Sequence, residues 1–286
     1  MAFDSLESIL EVCREKQTAF WEAVLLDDMN ERNAAREESW EQMKKIWSAM
    51  KEAAAGYDGN LRSNSGLVGG AGQQMEEYVR KGDTLCGPFV GQVIAGALQM
   101  GESNACMKRI VAAPTAGACG VLPAVLVPCF RERGVPEETI LEALYTAAGI
   151  GQVIALRASI AGASGGCQAE IGTASAMAAG ALVHLQGGNG EQIIHGAAMA
   201  LKNLLGLVCD PVAGLVEVPC VKRNVAGAVI ALSAADMALA GIRSRIPPDQ
   251  VIDAMKEVGD LMDESLKETG RGGLAATIEG KALAGS

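Results

Sequence analysis

The chain has 286 residues, 49% of them hydrophobic but only 3% aromatic, and a net charge of −10. Its core must therefore be built from Ala, Val, Leu, Ile and Met. An acidic chain without a basic stripe argues against nucleic-acid binding, and the acidic N-terminus lacks the basic and apolar regions of a secretory leader.

Two uncharged stretches, 110–130 and 171–190, reach membrane-spanning length. The first carries Pro114, Pro123 and Pro128; the second carries His184, Gln186 and several glycines. Both read as buried core, so no membrane association and a cytoplasmic location are expected. In that compartment the eight cysteines are expected as free thiols. Two histidines are too few for a histidine-based zinc site. Charged residues make up only 20%, which predicts further surface buried against another chain.

In chain order, residues 3–57 predict two amphipathic helices. Leu6, Ile9, Leu10 and Cys13 fall on one face, as do Trp40, Met43 and Trp47. Asp4 or Ser5 can cap the start, and a break is expected between Asn30 and Ala34. The aromatic spacing reads as packing. Gly56 and Asp58-Gly59 mark the end, which sets residues 1–60 apart from 61–286, unless the two are one continuous domain.

Leu61–Gly72 is glycine-rich, with Ser63, Asn64, Ser65 and Gly66. It is either a flexible connection or a loop presenting backbone N–H groups to an anion. Helical patterns follow at Gln73–Lys81 and Pro88–Gly101. In A-A-P-T-A-G-A-C-G-V-L-P-A-V-L, Thr115, Gly117, Ala118 and Gly120 precede an apolar helical run. Such a start is either an ordinary capped helix or an anion-binding one. Further helices are expected at Glu137–Ala161, Cys167–Leu185, Glu191–Leu205, Asn224–Ile242 and Pro248–Thr269, ahead of a glycine-rich, partly loose tail. Val216–Val221 is the best candidate for a strand. The predicted fold class is mainly α: a helical domain with small-residue-rich buried helices and glycine- and proline-rich loops.

The stretch Gly206–Asn224, G-L-V-C-D-P-V-A-G-L-V-E-V-P-C-V-K-R-N, stands apart. Pro211 and Pro219 flank its cysteines, so it reads as an irregular loop. Cys209 and Cys220 lie there, and Cys167 lies upstream in a similar glycine-rich setting; Cys13, Cys106 and Cys129 fall in helical patterns. Separations of 42 and 11 residues do not make a local cluster motif. Each thiol is either a small buried hydrophobe or one of three ligands to a cluster with an uncovered iron.

The segments A-P-T-A-G-A-C-G-V-L-P-A-V-L, S-G-G-C-Q-A-E-I-G-T-A-S-A-M-A-A and L-K-N-L-L-G-L-V-C-D-P-V-A-G-L-V-E-V-P-C-V-K-R-N resemble the iron–sulfur-dependent L-serine dehydratases (L-serine ammonia-lyases). R-G-G-L-A, Arg271 to Ala275, fits as well, and the resemblance covers about Leu61 to Ala276. It implies a [4Fe–4S] cluster on Cys167, Cys209 and Cys220, and conversion of L-serine to pyruvate and ammonia without pyridoxal phosphate. It also implies substrate-carboxylate contacts from Thr115, Gly117 and Ala118, with Ser65 and Gly66, and a catalytic polar group of Lys222, Arg223 and Asn224 facing the open iron. The base stays open among Glu170, His195, Lys222 and a partner chain.

Single-chain members carry an additional N-terminal domain with a Ser-His-Thr segment, absent from this sequence. The resemblance is therefore to the alpha chain of the two-chain type, which implies a separate beta chain as partner. Some single-chain members also end in a cysteine, where this sequence reads Ala284-Gly285-Ser286, so the resemblance does not extend to that residue. Threonine or cysteine as substrate, and a non-catalytic iron–sulfur scaffold with Cys119 as a fourth ligand, are the competing readings.

Overall fold

A computed structural model describes residues 3–285, so the Ser286 end of the C-terminal reading lies outside it. The described residues form thirteen α-helices and no strand, in agreement with a mainly α class. The one β-type contact among them is an isolated parallel bridge between Cys209 and Lys267.

Three helices open the chain, where two were expected: α1 (Leu6–Lys16), α2 (Phe20–Arg32) and α3 (Arg36–Ala55). Ser5 caps α1, accepting from Ser8 N at 3.0 Å. Left-handed residues end the first two helices, Gln17 at φ 53° and Asn33 at φ 49°. The break at Asn33 was legible; the one at Gln17 carries no glycine or proline to mark it. Trp40 stacks on Tyr145 and Trp47 meets Phe130 edge-on, so the aromatic spacing is packing.

The body comprises α4 (Ala71–Lys81), α5 (Gly87–Ala105), α6 (Val121–Arg131), α7 (Glu137–Arg157), α8 (Gly162–Gly165), α9 (Thr173–Leu185), α10 (Gly190–Lys202), α11 (Cys220–Leu239), α12 (Pro248–Leu261) and α13 (Ile278–Ala284). Every residue of α9 from Thr173 to Val183 is buried. Its alanines and Gly180 let α6, α7, α10 and α11 close around it. At Gly180 a Cβ would stand 2.1 Å from Ile150 Cδ1, so a methyl group there would require the Ile150 side chain to move. Leu6, Ile9 and Trp47 belong to the same buried cluster as Val125, Ile150 and Ala178. The N-terminal helices thus share the core of the body. Among the described residues one helix, α7, is long and apolar enough to cross a membrane, and 67% of its apolar window is buried inside the protein.

Two expectations about Gly206–Asn224 are corrected. Val216–Val221 forms no strand, and the loop ends sooner than predicted, because α11 begins at Cys220. Pro219 stands at the N-cap position, where a missing N–H costs nothing. The polar run after Cys220 therefore lies on the first turn of a helix. The tail is also more ordered than expected, with a 3₁₀ turn at Gly273–Ala276 followed by α13.

Candidate active site

Three separate segments bring Cys167, Cys209 and Cys220 together. Cys167 follows Gly166, which sits at φ +76° with no room for a side chain: a Cβ would stand 2.6 Å from Met262 Sδ and 2.9 Å from the Leu207 carbonyl oxygen. Cys167 leads into a π-helical turn, Gln168–Gly172, a feature common at functional sites. Gln168 is fully buried and clamps this turn: its side chain donates to the Met255 carbonyl at 3.0 Å and accepts from Gly206 N at 2.9 Å. Its backbone N–H donates to the Leu207 carbonyl at 2.9 Å. The Cys167 turn is thereby fastened to the start of the second thiol segment.

Cys209 is fixed by the parallel bridge. Its N–H donates to the Leu266 carbonyl and its carbonyl accepts from Glu268 N, both at 2.8 Å. Glu268 adopts a left-handed conformation at φ 64°. Next in the chain, Asp210 is buried and accepts from Leu274 N at 2.7 Å. Arg223 approaches it from α11, with Nη2 2.8 Å from Oδ1. That approach lacks hydrogen-bond alignment and acts as a charge contact. The aligned bond of this guanidinium runs from Nη1 to the Val208 carbonyl, at 2.7 Å.

Cys220 opens α11. Helical spacing puts Arg223 and Asn224 on its face of the helix and turns Lys222 away. Lys222 is exposed accordingly, so of the three polar residues only Arg223 and Asn224 join the thiols. Asn224 is a tie between segments. Its Nδ2 donates to the carbonyls of Gly117, at 2.8 Å, and Cys220, at 3.0 Å, while Oδ1 accepts from Gly120 N at 2.8 Å. It holds the Thr115–Gly120 turn against the start of α11.

That turn faces the site through Thr115, whose hydroxyl donates to Glu170 Oε1 at 2.6 Å. Ala118 is fully buried and its N–H donates to the Thr115 carbonyl at 3.3 Å. This amide is therefore engaged in the turn itself, as the Thr115 hydroxyl is with Glu170. Ser65 and Gly66 lie on an exposed loop. The Ser63 and Ser65 hydroxyls donate to the buried carboxylate of Glu217, three residues before Cys220. The loop is thus anchored beside the Cys220 turn.

The thiols influence one another. Burial first, then Cys167, Glu170, Glu268 and Cys220, push the Cys209 thiol far up. Burial raises Cys167 to about 12, against the pull of Arg223, with Glu170 and Cys220 adding to the rise. Cys220 rises to about 11, from burial and then Glu170. Burial also raises Glu170 above the usual carboxylate range, against the Thr115 hydrogen bond. Cys119, by contrast, is raised to about 12 by burial alone and donates to the Met100 carbonyl at 3.7 Å. No other thiol acts on it, so it is a core residue and no fourth ligand to this group.

Among the described residues, no three His, Cys, Asp or Glu side chains close on a single ion. The donor set is two buried thiols and a half-buried one, which as thiolates would repel one another, with the Arg223 cation beside them. Such a set fits a polynuclear cationic group more readily than a lone ion. A cavity of about 260 Å³, lined by Ser159, Ser164, Gln168 and Met255, opens between α12 and the Cys167 turn, and the thiols do not line it. His184 is hydrogen-bonded to Glu142 at 3.1 Å, and His195 lies on α10, 3.9 Å from Glu191; neither acts on the thiols.

Sequence reasoning passed over Asp210, Gln168, Gly162 and Glu268. Asp210 had a usable signal, its place beside Cys209. Glu268 had none, because its approach to the thiols depends on the bridge to Cys209.

The fold and this grouping of thiols define a helical, cysteine-centred family. A family model described as the serine dehydratase alpha chain matches residues 9–275, and the chain belongs to that family. A protein of Bacillus subtilis named probable L-serine dehydratase, alpha chain, is 46% identical over 98% of this chain and 94% of its own length. The L-serine dehydratase alpha chain of Peptoniphilus asaccharolyticus is 41% identical over 98% of this chain and 96% of its own. An L-serine dehydratase of Helicobacter pylori is 36% identical over 97% of this chain but only 62% of its own length.

Proposed function

We propose that this chain is the alpha chain of an L-serine dehydratase, converting L-serine to pyruvate and ammonia. The observation that carries the reading is the meeting of Cys167, Cys209 and Cys220 from three segments, close enough that Cys167 and Cys220 both act on the Cys209 thiol and Cys220 acts on Cys167. In this reading the three thiolates hold a [4Fe–4S] cluster. With three protein ligands, a bound cluster supplies a Lewis-acidic iron for the substrate hydroxyl.

The chain's own residues do the rest. Arg223 offsets thiolate charge while fixed by Val208 and Asp210. Thr115 and the turn at Gly117 orient the substrate carboxylate, with the Ser65–Gly66 loop at the rim. Asn224 keeps that turn in register with Cys220. L-serine loses its hydroxyl and its Cα proton; the resulting aminoacrylate tautomerises and hydrolyses. The acceptor of the Cα proton is assigned to a separate beta chain, since Lys222 faces solvent, neither histidine acts on the thiols, and Glu170 is given another role below. An apolar rim of exposed Leu215, Val216, Leu274 and Ile278, where the C-terminal turns pack on the thiol segment, supports such a partner.

The test is anaerobic purification of the complex. Wild type should show broad cluster absorbance and form pyruvate from L-serine, and Cys209→Ser should lose both together. A variant that keeps both would remove Cys209 from the site.

A further inference from the structure

We infer that Glu170 is the anchor for the substrate's α-ammonium group and so selects amino acids over hydroxy acids. The inference rests on the dehydratase reading and assigns a residue within that site.

Glu170 lies on the π-helical turn that follows Cys167. Its two oxygens have different fates. Oε1 accepts from the Thr115 hydroxyl at 2.6 Å. Among the described residues no hydrogen bond is donated to Oε2, and no Lys, Arg or His forms an ion pair with this carboxylate. Oε2 lies beside the Cys209 thiol: a Cβ on Gly162 would stand 2.8 Å from it and 3.1 Å from Cys209 Sγ. The free oxygen and the thiol thus both lie against Gly162. Gly117 closes the opposite flank, where a Cβ would stand 3.0 Å from Oε1. Glycine at both positions leaves room for the carboxylate, which a side chain at either would crowd.

A half-buried carboxylate without a cation is disfavoured, and an incoming cation offsets that cost. Arg223 does not supply it, since it is held by Val208 and Asp210. Glu268, at the exposed rim, adds a second negative charge facing Glu170. The surroundings of Oε2 therefore favour a positive group. In L-serine the ammonium is separated from the hydroxyl by two carbons. A substrate with its hydroxyl toward the thiols has its ammonium within reach of Oε2.

The test uses the cluster-loaded complex with its second chain and two ligands that lack one group each. L-Alanine carries the ammonium and carboxylate without the leaving hydroxyl; 3-hydroxypropanoate carries the hydroxyl and carboxylate without the ammonium. Calorimetric affinities are measured for wild type, Glu170→Gln and Glu170→Asp. Loss of a charge-assisted contact predicts that Glu170→Gln weakens L-alanine about 10- to 100-fold. Its affinity for 3-hydroxypropanoate should change less than about threefold, and KM for L-serine should rise more than kcat falls. Glu170→Asp, which keeps the charge, should retain a preference for L-alanine. Equal loss of both ligands in Glu170→Gln, with that preference also gone in Glu170→Asp, would overturn the inference in favour of a structural role. Unchanged binding with a collapsed kcat would overturn it in favour of proton transfer. A wild type that makes no pyruvate would remove the dehydratase reading instead, whatever the ligand preference.

Discussion

Arg223, on the first turn of α11, stands 2.8 Å from Asp210, the residue that follows Cys209. This contact joins the two thiol segments, because α11 begins with Cys220. The aspartate side chain is 4% exposed and the arginine 15%, so removing one partner leaves a charge without water. Asp210→Asn is expected to lower stability by about 3 kcal/mol, the scale of a broken buried pair. Urea unfolding of single and double variants with Arg223→Met measures it. A coupling energy below about 0.5 kcal/mol would reduce the pair to the value of a surface contact.

Gly166 controls the placement of Cys167. Alanine there must adopt φ +76° and meet the Leu207 carbonyl oxygen at 2.9 Å. Gly166→Ala should destabilise the chain by about 1–3 kcal/mol and reduce bound iron in the same preparation. Thermal unfolding with iron analysis checks both. Full iron content at wild-type stability would show that the turn tolerates a side chain.

Asn224 makes three hydrogen bonds across two segments. Asn224→Ala orphans the Gly120 N–H and the Gly117 carbonyl, a loss of about 2–4 kcal/mol. Because it also frees the Thr115 turn, KM for L-serine should rise in the folded variant. A pure stability loss with unchanged KM would confine Asn224 to packing.

Cys119 separates burial from ligation. Cys119→Ala should leave iron content unchanged, whereas each of Cys167→Ser, Cys209→Ser and Cys220→Ser should lower it. The same variant has a pH signature. Burial raises this thiol from its ordinary 9.0 to about 12, so the folded chain holds its proton more tightly than the unfolded one. The associated stability is present below pH 9.0 and is lost as pH rises toward about 12. Stability curves of wild type and Cys119→Ala should converge over that window; parallel curves would mean that the thiol is not shielded.

Much of this arrangement was legible in the residues. The apolar faces of α1 and α3, the glycine-bounded α9 and the three cysteines beside glycine or proline all follow from local pattern. What local pattern hides is which side of a helix a residue faces when the helix start is misjudged. Taking Pro219 as a loop residue placed Lys222 with Arg223 and Asn224; once α11 begins at Cys220, periodicity turns Lys222 outward. Long-range ties were equally hidden. Glu268 meets the thiols only through the Cys209–Lys267 bridge, and Gly273 avoids Asp210 only once the tail has folded back: a Cβ there would stand 2.3 Å from Asp210 Oδ2.

The most direct test of the account is iron and acid-labile sulfide per chain in the anaerobically purified complex. The account predicts about four of each in wild type, and a joint loss when Cys167, Cys209 and Cys220 are all replaced by serine. Pyruvate formation from L-serine by a complex without iron, or full iron in the triple variant, would contradict it.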